Sequence, residues 1–193
     1  GRRRNQAPGG AARLYTAVDV QDERQLAFYE HNGFKMDYTE DLVRLNDPDE
    51  VPQLFNCSCI TLPLNTVQEQ MDLVSRMRGA GFSYFDHGFL LQQMNRQNFA
   101  ALGILYGSNL VGACVAAGQY TSAEVMGLYI VPEFQRKGLG TRLLQQTKQA
   151  LASTGVTDLT MRVMSDSEPQ VRLVQRFRAE LVEHTSVFPS MQI

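Results

Sequence analysis

An excess of charge of either sign is missing from this chain. Its 18 lysines and arginines nearly balance 20 aspartates and glutamates, for a formal net charge of -2. That removes a global pull toward nucleic acid or an anionic membrane surface. Apolar runs are short. None reaches the ~20 residues that cross a bilayer, and no secretory leader is seen, so a cytoplasmic protein with no membrane partner is expected. Cysteine is scarce, with three in 193 residues. A small odd number does not make a disulfide framework, so thiols are expected. Cys57 and Cys59 would share one face of a strand. No His/Cys cluster at ligand spacing joins them, so no metal is expected and the pair reads as two small buried apolar groups. Arg2, Arg3 and Arg4 read as a solvated terminus.

What is present is a 44% apolar fraction, enough for a packed core and, at this length, for one full domain plus something smaller. The run Asn46-Asp47-Pro48-Asp49-Glu50-Val51-Pro52 reads as a linker, with two prolines and little to bury. Residues 1–46 therefore form one segment, 47–54 the linker and 55–193 the larger part. In the larger part, residues 57–62 read as a strand. Thr66 and Glu69 form a capping box, and Val67, Met71, Val74 and Met77 recur at helical spacing. Gly79 and Gly81 end that helix. Residues 85–94 are ambiguous and read as a second short helix. Strands at 99–106 and 110–117 flank a Gly107-Ser108-Asn109 turn, and a third follows at 123–131. Leu139, Leu143, Leu144, Thr147 and Leu151 mark the buried face of the next helix, which Gly155 ends. A strand at 158–164, a helix from Pro169 to about Phe177 and a weak strand or strand pair at 182–193 complete the order. Hairpin and strand–helix–strand units together predict a mixed-sheet α/β or α+β domain.

Gln135-Arg136-Lys137-Gly138-Leu139-Gly140 lies between the third strand of that series and the amphipathic helix. A helix start offers unpaired N–H groups and partial positive charge, and glycines let the backbone approach an anion. An ordinary tight strand-to-helix connection is the plainer alternative. A nucleotide P-loop is excluded because Lys137 precedes Gly138 and no Gly-Lys-Ser/Thr occurs. A dinucleotide fingerprint fails for want of its three spaced glycines and downstream acid.

The hexamer, its preceding Val131-Pro132-Glu133-Phe134 and the following Leu143-Leu144 resemble the GNAT acyltransferase superfamily, whose signature is Gln/Arg-x-x-Gly-x-Gly. The resemblance covers about residues 55–193. It implies a mixed, centrally splayed β-sheet flanked by helices and an acetyl-CoA-dependent N-acetyltransferase. A second resemblance runs over residues 13–46. Residues 14–18 read as a strand, and residues 22–34, with their closing Gly33-Phe34, look like the family's last helix. Residues 34–45 look like the strands that follow. The cofactor turn is missing there, and Gly9-Gly10 is no substitute. This reads as a truncated or excised tandem repeat, a partial GNAT-like segment before a complete one. The rival is an extension that donates a strand to the sheet. Either leaves apolar surface to pack on the full domain or on a second copy, as a homodimer.

The resemblance implies that the acetyl-CoA pyrophosphate rests on the amides of Gln135, Arg136, Lys137, Gly138, Leu139 and Gly140, with Thr141 flanking. It implies that the pantetheine arm pairs with the strand end at Leu128, Tyr129, Ile130 and Val131, where a backbone N–H would stabilise the oxyanion. The acceptor is a small-molecule amine or a peptide N-terminus. Glu124, eleven positions before Gln135, stands where many members place a catalytic Glu and is the candidate base. Partial burial is what raises such a carboxyl into a useful range. An edge ion pair or a solvated strand-start carboxylate is the plainer alternative. The family's Tyr acid would fall near residues 174–176, where there is none; the motif position is filled by Tyr29 in the N-terminal segment. Tyr129, His184 and Cys114 are substitutes, or the thiolate leaves unassisted. Tyr84, Phe85 and Phe89 line the acceptor or belong to the core. A non-catalytic acyl-CoA-binding or structural repeat remains the second reading.

Overall fold

The computed structural model describes residues 3–6, 12–15 and 17–192. The chain divides into two compact units. One comprises Leu45–Met161 with Arg176–Arg178, the other Gly1–Arg44, Arg162–Gln175 and Ala179–Ile193. Among the described residues no helix is long and apolar enough to cross a membrane.

The N-terminal strands are β1 (Arg3–Gln6), β2 (Ala12–Tyr15) and β3 (Val18–Asp19), followed by helix α1 (Glu23–His31) and β4 (Lys35–Arg44). Then come β5 (Cys57–Thr61), α2 (Val67–Gly79), α3 (His87–Met94), β6 (Asn98–Tyr106), β7 (Asn109–Gln119) and β8 (Ser122–Ile130). A short 3-10 turn (Pro132–Phe134) leads to α4 (Leu139–Ala152), β9 (Asp158–Met164), α5 (Glu168–Arg176) and β10 (Glu180–Gln192). This is the mixed α+β, GNAT-like order expected.

In the Leu45–Met161 unit, β5, β6, β7 and β8 are antiparallel neighbours and β9 joins β8 in parallel. Gly107, at φ +60, turns β6 into β7 in a tight loop. Residue alternation sends Ala113 and Val115 of β7 to one face, with Leu73, Val74, Met77, Phe85 and Leu90 of the α2–α3 region. Cys114 points to the other face, against Thr147 of α4. The α4 stripe is buried as expected, with Leu139, Leu143, Leu144, Thr147 and Leu151 all inside. Helix α2 opens on the capping box: Glu69 N–H donates to Thr66 Oγ1 at 3.2 Å and Thr66 N–H to Glu69 Oε2 at 2.9 Å. Its buried stripe differs from the expected one. Leu73, Val74 and Met77 face inward, while Val67 is 64% and Met71 42% exposed. Only the second half of α2 packs inward, so helical periodicity overstates the core at its first turns. Gly79 is the last helical residue, and the reversal comes at Gly81, φ +103.

In the other unit, β4 pairs antiparallel with β10 from Arg44–Glu180 to Lys35–Ser190, with bulges along the way. Its other neighbour is β9. At Arg162–Met164 and just beyond, Arg162 meets Glu40 at 3.3 Å and Ser165 N–H donates to Thr39 O at 2.8 Å. A strand from the N-terminal segment thus sits between two strands from the C-terminal end of the chain. Lys35–Arg44 is one strand where several were expected, and Glu180–Gln192 is a single bulged strand, one of the two alternatives expected there. The expected strand at 14–18 is divided into β2 and β3. Asp22 caps α1 through Gln25 N–H at 3.0 Å, and Gly33, φ +79, closes it. Arg3 and Arg4 lie in β1. Arg2, Gly9, Gly10 and Ile193 lie outside the described residues.

Candidate active site

The site is built on β8. Its parallel pairing with β9 runs from Ser122–Asp158 to Val125–Met161, and residues 126–130 continue past the last pair. At that point β8 bulges: Val115 and Ala116 of β7 are adjacent, but their partners are Gly127 and Val125, leaving Met126 as the extra residue. Strand parity then sorts the backbone groups. Val131 N–H donates to Val111 O at 2.8 Å. Val131 and, two and four residues back, Tyr129 and Gly127 therefore aim their peptide groups at β7. Leu128 and Ile130 aim theirs at the opposite edge. The Val131 amide, expected to meet pantetheine, is committed to the sheet. The Ile130 carbonyl accepts from Gln135 Nε2 at 2.8 Å. Gln135 thus ties the turn to the strand end by its side chain, a role its sequence position did not reveal.

After the 3-10 turn the backbone enters the left-handed region twice, at Arg136 (φ +62) and Gly138 (φ +84). Gly138 is the N-cap of α4 and no side chain caps the helix. The first intrahelical bond is Arg142 N–H to Gly138 O at 3.2 Å. The N–H groups of Leu139, Gly140 and Thr141 precede it, the usual anion-receptive first turn. The side chains of Leu139 and Thr141 are buried, 2% and 3% exposed, so neither can do more at this site than offer its backbone. Lys137 Nζ stands 5.3 Å over the ring of Phe134, which in turn lies 5.0 Å from that of Tyr106.

A linker residue reaches this turn. Pro52 packs on Gly138 so closely that a Cβ there would lie 2.7 Å from Pro52 Cγ. The space that glycine frees on this side holds the protein's own chain, not an anion. The linker is anchored along its length. Asp47 pairs with Lys148 of α4, Asp49 lies 3.3 Å from Arg178, and Asn46 N–H donates to Phe177 O at 2.9 Å. The hydrogen bond and charge of Lys148 hold the Asp47 carboxyl below its ordinary range.

Glu124 sits opposite Ala117 of β7 and Thr160 of β9, just before the bulge. Alternation through Ala117, Val115 and Ala113 puts its side chain on the α2–α3 face, half-buried. The substitute acids diverge. Cys114 is buried and its thiol is pushed up to about 12 by desolvation. Burial also raises the Tyr129 phenol, with the charge of nearby Arg76 acting against it. The buried Tyr129 hydroxyl makes no hydrogen bond of ordinary geometry among the described residues. His184 belongs to the other unit, where its Nδ1 lies 2.6 Å from Asp41. Tyr29 is in that unit too, 5.0 Å from the Phe34 ring. His87 Nε2 is bound to Gln70 Oε1 at 2.7 Å. Phe85 is core, whereas Tyr84 is 53% exposed and donates its hydroxyl to Met126 O at 2.5 Å. That bond to the bulge has no sequence signal, because it joins residues 42 positions apart.

The sequence pattern of the acetyltransferase (GNAT) family matches residues 68–178. A comparison with curated proteins gives no match. Among solved structures, a GCN5-related N-acetyltransferase from Sphaerobacter thermophilus is similar, with TM-score 0.68 and 14% identity over 96% of this chain and 62% of that one. A tandem GNAT protein from the clavulanic acid biosynthesis pathway has TM-score 0.63 and 16% identity over 99% of this chain and 62% of that one. An aminoglycoside acetyltransferase from an uncultured soil metagenomic sample, in complex with sisomicin, has TM-score 0.52 and 17% identity over 64% of this chain and 88% of that one. The chain thus spans less than two thirds of the length of the first two. The family match covers more than half of the 193 residues and includes β8, the glycine turn and α4. The chain belongs to the acetyltransferase (GNAT) family.

Proposed function

We propose that this chain is an acetyl-CoA-dependent N-acetyltransferase that moves an acetyl group to a primary amine in a ternary complex. The observation that carries the reading is the bulge at Met126, where β8 leaves its parallel partner and runs on into an uncapped helix start. The amides of residues 136–141 suit the pyrophosphate of the acyl donor, and the outward peptide groups of Leu128 and Ile130 suit its pantetheine arm. An alkylammonium with a pKa of about 10.4 is almost wholly protonated at neutral pH. Glu124 takes the ammonium proton, directly or through water. The amine nitrogen then bonds to the acetyl carbon as the carbon–sulfur bond breaks, and its second proton passes to water to leave the neutral amide. The sulfur leaves as thiolate and takes a proton from solvent, since a thiol pKa of about 8.5 makes it a tolerable leaving group. Residues 1–46 are the partial GNAT-like segment, 47–54 the linker and 55–193 the complete domain. A cytoplasmic setting and a homodimer through the N-terminal segment belong to the same proposal.

A second reading, an acyl-CoA-binding repeat without catalysis, is favoured by two observations. No Tyr stands at residues 174–176, and Pro52 fills the space at Gly138. Calorimetric titration of acetyl-CoA, CoA and ATP tests the shared premise. Micromolar binding of the first two and not ATP is expected. No binding of either would remove both readings.

A further inference from the structure

The α2–α3 face of β8 carries a graded set of groups. Glu124 lies before the bulge, Gly127 and Tyr129 after it. Above the strand the surface is aromatic. A Cβ on Gly127 would lie 3.8 Å from Phe82 Cδ2, and the Tyr84 hydroxyl is bonded to Met126 O. The Phe82 and Tyr84 rings are 6.1 Å apart and Tyr84 and Phe89 5.3 Å, both edge to face. More than half of Tyr84 is open to solvent.

Charge on the same segment narrows what could rest there. Residues 62–99 hold three carboxylates, Glu69, Asp72 and Asp86. Each accepts from close neighbours in the chain: Glu69 Oε2 from the Asn65 and Thr66 amides, Asp72 Oδ1 from Gln68 Nε2 along α2, Asp86 Oδ1 from the Phe89 amide. The segment also holds Arg76, Arg78 and Arg96. A polycation laid along this face would meet Arg76, whose charge acts on the Tyr129 phenol, and have Glu124 as its acidic partner on the strand. A single ammonium has what it needs: one carboxylate and the negative faces of aromatic rings. An apolar body attached to it would remove ring surface from water.

We propose that the acceptor is a small primary monoamine carried on an aromatic or large aliphatic group, seated against Phe82, Tyr84 and Phe89. This rests on the acetyltransferase reading above. An apolar pocket discriminates by roughly 10- to 200-fold per methylene.

The test measures CoA release chromatographically with 2-phenylethylamine, isoamylamine, propylamine, spermidine, kanamycin and an Ala-initiated hexapeptide as acceptors. Acetyl-CoA affinity is measured on the same protein by calorimetry. The expected result is a kcat/KM for 2-phenylethylamine at least tenfold above propylamine, spermidine, kanamycin and the peptide. Tyr84→Ala should cut the phenylethylamine-to-propylamine ratio about tenfold, and Tyr84→Phe, which keeps the ring, should preserve it. Acetyl-CoA affinity and a thermal melt of each variant separate a lost wall from a collapsed strand. Preference for spermidine, kanamycin or the peptide overturns the substrate class, as does tight acetyl-CoA binding with no acceptance of any monoamine. Absence of acetyl-CoA binding overturns the reading beneath it and this proposal with it.

Discussion

Pro52 lies against Gly138, and a Cβ on the glycine would stand 2.7 Å from Pro52 Cγ and 3.0 Å from its Cβ. The contact joins the linker to the N-cap of α4, at the glycine turn. It gives glycine at this position two separate causes, the left-handed φ of +84 and the proline ring.

Gly138→Ala should therefore lower stability by two additive parts. The left-handed φ costs about 1–2 kcal/mol for a residue with a Cβ, and the clash adds to it unless the linker yields. Pro52→Ala alone should cost less. In the double variant, the clash part should vanish while the φ part stays. Thermal or urea unfolding of all four proteins forms a double-mutant cycle. A coupling of zero would mean that Pro52 does not press on the turn. Acetyl-CoA affinity measured in Pro52→Ala shows whether the linker hinders the turn. A gain points to hindrance, and no change means that the donor approaches from the amide side alone.

Gln135→Ala should weaken acetyl-CoA binding with little loss of fold. Its Nε2 holds the Ile130 carbonyl at 2.8 Å and so fixes the end of β8 relative to the turn. A neutral hydrogen bond on an exposed surface contributes about 1 kcal/mol, or about fivefold in an equilibrium constant. Gln135→Glu keeps the shape but replaces a donor with an anion facing a carbonyl, and should be worse. Calorimetry and a melting curve check both. Equal loss in stability and in affinity would make the residue merely structural.

The capping box at Thr66 and Glu69, the α4 stripe and the strand–turn–helix at residues 122–152 are legible in the sequence because each is set by neighbours along the chain. Val67 and Met71 read as core but are exposed, because period says which residues share a face, not how much of the helix is covered. The pairing of β4 with β10 spans more than 130 residues, and no local pattern encodes it. The same holds for Pro52 on Gly138 and Tyr84 on Met126. The Val131 amide reads as a cofactor contact only for want of the register, since a one-residue change of parity reverses which edge a peptide group faces.

Cys114 should resist alkylation in the native protein, while Cys57 and Cys59, both half-buried, take the label. Desolvation raises the Cys114 thiol from 9.0 to about 12. A thiol whose pKa is higher folded than unfolded stays protonated in the native state, so its contribution is complete below pH 9 and is lost as pH climbs toward 12. Alkaline denaturation should accordingly steepen over that window, and Cys114→Ala should flatten it. Mass spectrometry after iodoacetamide, with and without denaturant, reads the first part. Three labels without denaturant would contradict the buried position.

Glu124→Gln is the variant that separates an enzyme from a binding repeat. The Glu124 backbone pairs between Ala117 and Thr160, one residue ahead of the last β8–β9 pair and two ahead of the bulge. The amide keeps size and hydrogen-bonding capacity but cannot accept a proton from an ammonium. If Glu124 is the base, kcat/KM should fall about 100- to 10,000-fold with acetyl-CoA affinity retained, because general-base help is of that order. The residual rate should rise with pH as more of the amine becomes neutral on its own, steepening the pH–rate profile relative to wild type. A structural role predicts another pattern: lower melting temperature, weaker acetyl-CoA binding and an unchanged profile. A purely binding repeat predicts no turnover in either protein and equal affinity in both. Calorimetry sets the structural outcome apart from the other two, and turnover with its pH profile sets the enzyme apart from the binding repeat.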